Sequence, residues 1–140
     1  MKTHVFRLLP GQDLKHELVA FVRQAEIRAG VMLTCVGSLS AAALRYANRS
    51  GTATRTGSFE IVSLVGTLGP DGVHLHLCAA DENGTAFGGH LMDGNLIRTT
   101  AEVVIGELDG WVFCREPDAA TGFRELAVRS QAGQNVADGE

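Results

Sequence analysis

The clearest alternation of apolar and polar side chains in the chain is the run VHLHLC at positions 73–78. Such alternation is typical of a β-strand that turns one face toward a core. Residues two apart project from the same face of a strand, so His74 and His76 point together, away from the leucines between and beside them. The run therefore predicts a strand that presents two imidazoles side by side.

Other stretches of the chain also have the apolar content and bounding turn residues of strands. These predicted strands cover residues 3–9, 31–38, 39–46, 58–68, 102–108, 111–115 and 123–128. The polar stretches 48–57 and 91–100 predict loops. Asp109-Gly110 predicts a hairpin turn, after which 111–115 is the return strand.

Only one stretch has convincing helical periodicity. Between residues 14 and 29 apolar side chains recur at helical spacing, which predicts a helix with one buried stripe. Asp13 is suited to the N-cap and Gly30 to the position after the last turn. His16 falls on the polar face of this helix, and His4 in the first strand is expected at the surface.

A third histidine, His90, follows the histidine strand after a reversal of the chain. Asn83-Gly84 is a strong hairpin signal, so the residues after it are expected to run back beside the histidine strand. In the register of a two-residue hairpin, His90 pairs with Leu77 and faces the wrong side. A one-residue bulge at Gly88-Gly89 would place it opposite Cys78, on the histidine face.

Grouped together, His74, His76 and His90 have the chemistry of a divalent-metal site. Neutral imidazole ligates zinc at about 2.0–2.1 Å, and three protein ligands leave a fourth position open, as in catalytic zinc sites. Such a site could hydrolyse a substrate, with Asp81 or Glu82 as candidate acid–base residues. The alternative interpretation is two solvent-facing strand histidines and an unrelated His90.

Composition narrows the class of protein. The 140 residues are 45% hydrophobic and 20% charged, as in an ordinary single domain with its own core. A net charge of −4 argues against nucleic-acid binding over the whole surface. The chain has no apolar run of ~18 residues for a membrane span and no signal-peptide core at its start. Cys35, Cys78 and Cys114 are predicted to be reduced thiols in a cytoplasmic protein.

Three arginines lie close together in sequence around the polar loop 48–57. Arg45, Arg49 and Arg55 are the candidates for binding an anion or an anionic small molecule. The alternative is a mobile loop with scattered charges.

Several motifs, in order along the chain, resemble the PPC domain, the "plants and prokaryotes conserved" domain. They are Gly37-Ser38-Leu39, Ala43-Leu44-Arg45, residues 57–66, His74-Leu75-His76 with Asp81, Gly88-Gly89-His90-Leu91 and residues 102–106. The resemblance spans about residues 3–128. It predicts one domain at 1–128, and the polar residues 129–140 predict a disordered C-terminal tail.

The resemblance implies an α+β fold in which an antiparallel sheet packs against one main helix, residues about 14–29, and which assembles as a homotrimer. It also implies a metal ion on the three histidines, for which we predict zinc. The segment Phe59, Glu60 and Ile61 matches the family's partner-binding motif, although plant members have arginine where this chain has Ser58.

Three functions follow from these expectations. The first is a trimeric zinc-binding protein of the stand-alone bacterial and archaeal form. The second is a DNA-associated regulatory module that acts through oligomerisation and partner binding. The third is a metal-dependent hydrolase or small-molecule sensor. In plants the domain follows a DNA-binding AT-hook, but this sequence contains no Arg-Gly-Arg-Pro hook, so tight DNA binding is not favoured.

Overall fold

The computed structural model describes residues 1–131, which form one helix and eight strands. The elements are β1 (Lys2–Leu8), α1 (Leu14–Gln24), β2 (Gly30–Arg45), β3 (Ala53–Gly69), β4 (Gly72–Ala80), β5 (Ala86–Leu91), β6 (Leu96–Glu107), β7 (Trp111–Pro117) and β8 (Arg124–Ser130). The predicted tail overlaps β8 at residues 129–130, and residues 132–140 lie outside the described part of the chain. No helix within residues 1–131 is long and apolar enough to cross a membrane.

Six strands form one antiparallel sheet in the order β1-β6-β2-β3-β4-β5. The end of β2 also pairs with β5, so the strands β2, β3, β4 and β5 close into a hydrogen-bonded ring. β7 and β8 form a separate antiparallel pair. An antiparallel sheet with one helix confirms the predicted α+β fold, while the homotrimer stays a prediction.

The helix α1 contributes one apolar stripe to the core. Leu14, Leu18 and Val22 are at most 3% exposed and belong to the same buried cluster as the inward leucines of the sheet. Full burial of a leucine side chain contributes about 1.5–3 kcal/mol. The carboxylate of Asp13 accepts hydrogen bonds from the N–H groups of Lys15 and His16, which confirms the predicted N-cap.

The helix ends earlier than the periodicity predicted. Ala25 is its C-cap, and Glu26 adopts a left-handed conformation with φ of 52°. Ile27 and Ala29 lie in the connection to β2 yet are buried, which explains why helical spacing of apolar residues continued to position 29. Gly30 does not cap the helix, because it is the first residue of β2.

The chain between 30 and 46 is one strand rather than two. At the position of the expected bend the strand continues without a break. Its pairing with β6 on one side and with β3 on the other shifts register instead. Gly37 lies at one such shift, where a Cβ atom would be 2.1 Å from the carbonyl oxygen of Thr100. The glycine therefore serves a close approach of β2 to β6.

The strand after Asp109-Gly110 does not return along β6, contrary to the prediction. β6 already pairs with β1 on one edge and with β2 on the other, so no edge remains for β7. β7 pairs with β8 instead. His4 is likewise not a surface residue: it is 9% exposed, and its Nε2 lies 3.0 Å from Oε2 of Glu107.

Asn95 ties the segment before β6 to β2. Its side chain is fully buried, accepts a hydrogen bond from the N–H of Ala43 at 2.9 Å and donates to the carbonyl oxygens of Ala43 and Met92 at 3.0 and 2.6 Å. β6 therefore begins at Leu96, inside the stretch 91–100 that was predicted to be a loop.

We expect Asn95→Ala to lower the free energy of unfolding by about 2 kcal/mol, because it leaves buried backbone groups without partners. Urea unfolding followed by circular dichroism measures this change. Asn83→Ala is the matched control, since Asn83 is exposed and only its backbone N–H is hydrogen-bonded to Asp81. Equal unfolding midpoints for the two variants would contradict the role given to Asn95.

Candidate metal site

His74, His76 and His90 meet on one face of β4 and β5. Their candidate ligand atoms all lie within 4.8 Å of one another, and the centroids of the three rings are 5.1 to 5.6 Å apart. We call this group the histidine cluster. The structure therefore brings together the three residues that the sequence singled out.

The pairing of β4 with β5 places His90 in the cluster without a bulge. His90 lies directly opposite His76, and the register is regular from there to Ala80↔Ala86. Directly opposite residues of an antiparallel pair share a face. The predicted pairings of His90 with Leu77, or with Cys78 after a bulge, are both wrong.

The turn between the two strands sets this register. Asp81 donates its N–H to the carbonyl of Thr85 at 3.0 Å, and its carboxylate accepts from the N–H groups of Asn83 and Thr85. Gly84 closes the loop with φ of 78°. The loop therefore holds three residues instead of two, and this difference of one residue moves His90 onto the face of His76.

Two glycines permit the close packing of backbone around the cluster. A Cβ atom on Gly66, whose φ is 145°, would lie 1.9 Å from the carbonyl oxygen of His74. A Cβ atom on Gly89 would lie 2.8 Å from the carbonyl oxygen of Arg45. The Gly88-Gly89 pair thus allows neighbouring strands to approach closely, and it does not form the predicted bulge.

The surroundings of the cluster favour neutral imidazoles. Burial is the main cause that lowers the pKa of His90 from 6.5 to about 4, with a further contribution from the positive charge of Arg45. Burial and then Arg115 lower the pKa of His74. Neutral imidazole is the form that ligates a metal ion, so both rings are in the binding-competent state at neutral pH.

A cavity of about 420 Å³ opens beside the cluster. Its lining includes His74 and His90, together with Arg45, Arg115 and Glu125. We call it the arginine cavity. Sequence reasoning missed Arg115 and Glu125, because they come from the β7–β8 hairpin and no local pattern connects that hairpin to the histidine strand.

The acids that sequence proximity suggested for catalysis do not line the cavities that contain the histidines. Asp81 holds the β4–β5 turn and lies 3.8 Å from the guanidinium of Arg55. That turn is five residues beyond His76, or roughly 17 Å along a strand. Glu82 is exposed in the same turn. The acids that line a cavity with the histidines are Asp71 and Glu125, of which Glu125 also lines a second cavity with His74 and His76.

Two of the three arginines predicted as an anion site, Arg45 and Arg49, line one cavity, whereas Arg55 does not. Arg45 lies beside the cluster, and Arg49 lines a wider cavity of about 930 Å³ that also contains Arg45 and the three histidines. Arg55 lies elsewhere, with its guanidinium 3.9 Å from the ring centre of Phe87.

The segment predicted to bind partners is mostly internal to this chain. Phe59 and Ile61 are 4% and 5% exposed and belong to the core, whereas the side chain of Glu60 is exposed. Partner binding by Phe59, Glu60 and Ile61 stays a prediction, with Glu60 as the residue that the single chain presents.

This fold and this histidine cluster define a small antiparallel-sheet domain that carries a candidate metal site on its outer face. The sequence model of the Plants and Prokaryotes Conserved (PCC) domain matches residues 1–109. The chain belongs to this family, which confirms the resemblance to the PPC domain.

Three known proteins illustrate the similarity. A bifunctional protein GlmU of a Synechococcus species is 49% identical over 133 residues, which is 95% of this chain and 21% of that protein; the chain thus spans about a fifth of its length. A hypothetical protein of Salmonella enterica is 47% identical with a TM-score of 0.91, covering 93% and 94% of the two chains. A metal-containing protein of Archaeoglobus fulgidus is 24% identical with a TM-score of 0.77, covering 90% and 93%.

Proposed function

We propose that this chain is a metal-binding protein that holds one divalent ion, zinc by preference, on His74, His76 and His90. This proposal rests on the observation that three imidazoles from two paired strands have their ligand atoms within 4.8 Å of one another. Two of them come from one rigid strand and the third from its hydrogen-bonded neighbour. The metal-containing Archaeoglobus protein has the same fold, which supports the proposal.

The donor set favours zinc over the hard cations. Calcium and magnesium take oxygen ligands, whereas zinc binds imidazole well. Cys78 also faces this side of β4, but it lies opposite Gly88, two positions beyond His76. The cluster therefore offers three nitrogen ligands and leaves a fourth position for water or a ligand, as hydrolytic and ligand-sensing sites require.

We further propose that the chain assembles as a homotrimer. Four apolar side chains on β2 and β3 are 47% to 59% exposed, namely Leu33, Val36, Val62 and Val65. Exposed apolar patches of this kind mark interfaces in soluble proteins. Val65 lies directly opposite His76, so an interface on this patch would border the histidine cluster.

We also propose that the protein is cytoplasmic and does not bind DNA tightly. All three cysteines are free, and burial raises the pKa of Cys35 to about 12, so that its thiol is unreactive. Free cysteines fit a reducing compartment. The net charge of −4 opposes binding to phosphate backbones, which relies on lysine and arginine.

The metal site is tested by His76→Ala. We expect the wild-type protein to carry about one zinc per chain and the variant to carry almost none, because two imidazoles rarely retain the ion. The variant stays folded, since Leu75 and Leu77 still fill the core. Elemental analysis after expression with added zinc measures the content, and His16→Ala is the control because His16 is exposed on α1. Unchanged zinc in His76→Ala, or none in the wild type, would refute the proposal.

The trimer is tested by sedimentation equilibrium at micromolar concentration. We expect a mass three times that of the 14.8 kDa chain, and we expect Val62→Lys to shift the protein toward monomer by placing a charge in the interface. Val5→Lys is the control, because Val5 is equally apolar and 73% exposed but lies on β1, at the far edge of the sheet. A wild-type monomer would contradict this proposal.

The absence of tight DNA binding is tested by a mobility-shift assay on duplex DNA at ~0.15 M salt, where phosphate contacts are weakened. We expect no shift below micromolar protein. A sub-micromolar affinity that persists with unrelated competitor DNA would show that the chain binds DNA in spite of its charge.

A further inference from the structure

Arg45 stands in the same row of side chains as two of the histidines. It pairs with His90 across β2 and β5, and His90 pairs with His76 across β5 and β4. Side chains that are directly opposite in antiparallel strands have Cβ atoms about 4.5–5.5 Å apart. The Arg45 side chain therefore starts immediately beside the histidine cluster.

Arg115 approaches the cluster from the other side. One of its guanidinium nitrogens donates to Oγ1 of Thr67 at 2.8 Å, and Thr67 lies directly opposite His74. Its backbone N–H donates to the carboxylate of Asp71 at 2.9 Å, which holds β7 over the start of β4. One bond to Thr67 leaves most of the five guanidinium N–H donors of Arg115 available.

The positive charge in the arginine cavity exceeds the negative charge. Its lining contains three arginines, Arg45, Arg115 and Arg124, against two carboxylates, Asp71 and Glu125. Within residues 1–131, no carboxylate lies within 4.0 Å of the Arg45 guanidinium. A divalent ion on the histidines would add two further positive charges at the same place.

The size and lining of the cavity suit a small organic molecule. Its volume of about 420 Å³ falls within the range of roughly 300–1,000 Å³ typical of small-molecule sites. Val73 and Phe123 add apolar surface to the lining. The cavity can therefore hold a short carbon skeleton as well as a charged group.

We propose that this cavity binds a small organic oxyanion, a carboxylate or a phosphate ester or phosphonate, whose charged group lies between the metal ion and the guanidinium groups of Arg45 and Arg115. One oxygen takes the open position on the metal, and the others accept hydrogen bonds from the arginines, which match oxyanions with planar arrays of donors. This proposal rests on the metal site proposed above and names the class of ligand for it.

The test uses the full chain loaded with cobalt(II), whose visible absorption reports the fourth ligand of a site with three histidines. Acetate is the probe for carboxylates and methylphosphonate is the probe for phosphate esters and phosphonates. The probe that binds with higher affinity identifies the kind of oxyanion that the cavity prefers. We expect at least one of them to change the cobalt spectrum in a saturable way.

Substitution of Arg45 then distinguishes the contribution of the arginine to probe binding from the contribution of the metal ion. We expect Arg45→Gln to weaken binding of the preferred probe roughly ten- to hundred-fold, because the variant loses the charge-assisted hydrogen bonds that the guanidinium donates to the oxyanion. We expect Arg45→Lys to weaken it less, because lysine keeps the charge but loses the paired donors. Arg98→Gln is the matched control, because Arg98 is exposed on β6 and does not line the arginine cavity.

Each outcome of the titration has a definite meaning. Cobalt uptake at wild-type stoichiometry and an unchanged circular dichroism spectrum establish that Arg45→Gln is folded. If the wild type takes up cobalt but responds to neither probe, the oxyanion proposal is wrong and the metal site still holds. The same conclusion follows if the wild type and Arg45→Gln bind the probe with equal affinity. No uptake of cobalt by the wild type overturns the metal site and the oxyanion proposal together.

Discussion

The register between β4 and β5 is the constraint on which the rest of the candidate site depends. Side chains alternate between the two faces of a strand, so a shift of one residue would exchange His90 with its neighbours and turn it toward the core. The hydrogen bonds of Asp81 across a three-residue loop fix this register. Leu91, which is 1% exposed, holds the same register from the opposite face, because it belongs to the core.

The closure of the sheet extends that register to a third strand. β2 is long enough to pair with β6 and β3 along its length and with β5 at its end. At that end Leu44 pairs with Leu91 inside the core, and Arg45 pairs with His90 outside it. The same two rows of pairs thus complete the core on one face and bring the guanidinium of Arg45 to the histidines on the other.

Local patterns in the sequence were enough to predict the features that depend on local physics. The VHLHLC alternation predicted the two faces of β4, and Asp13 predicted the start of α1. The register of His90 was not predictable, because Asn-Gly occurs in hairpin loops of more than one length. The partner of β7 and the position of Arg115 beside His74 depend on contacts between distant parts of the chain. Such contacts leave no periodicity to read.

The arrangement of the site on the sheet separates its chemistry from the stability of the fold. Leu75 and Leu77 are at most 2% exposed and hold β4 in the core, while His74 and His76 project from the other face of the same strand. The outer face can therefore change its side chains at small cost to the core, which is how one scaffold comes to carry different sites. Gly66 lies opposite Leu75 on the core face, yet it also constrains the site, because any side chain there would collide with the carbonyl oxygen of His74. The absence of a side chain at that glycine is therefore required both for the pairing of β3 with β4 and for the position of the His74 backbone.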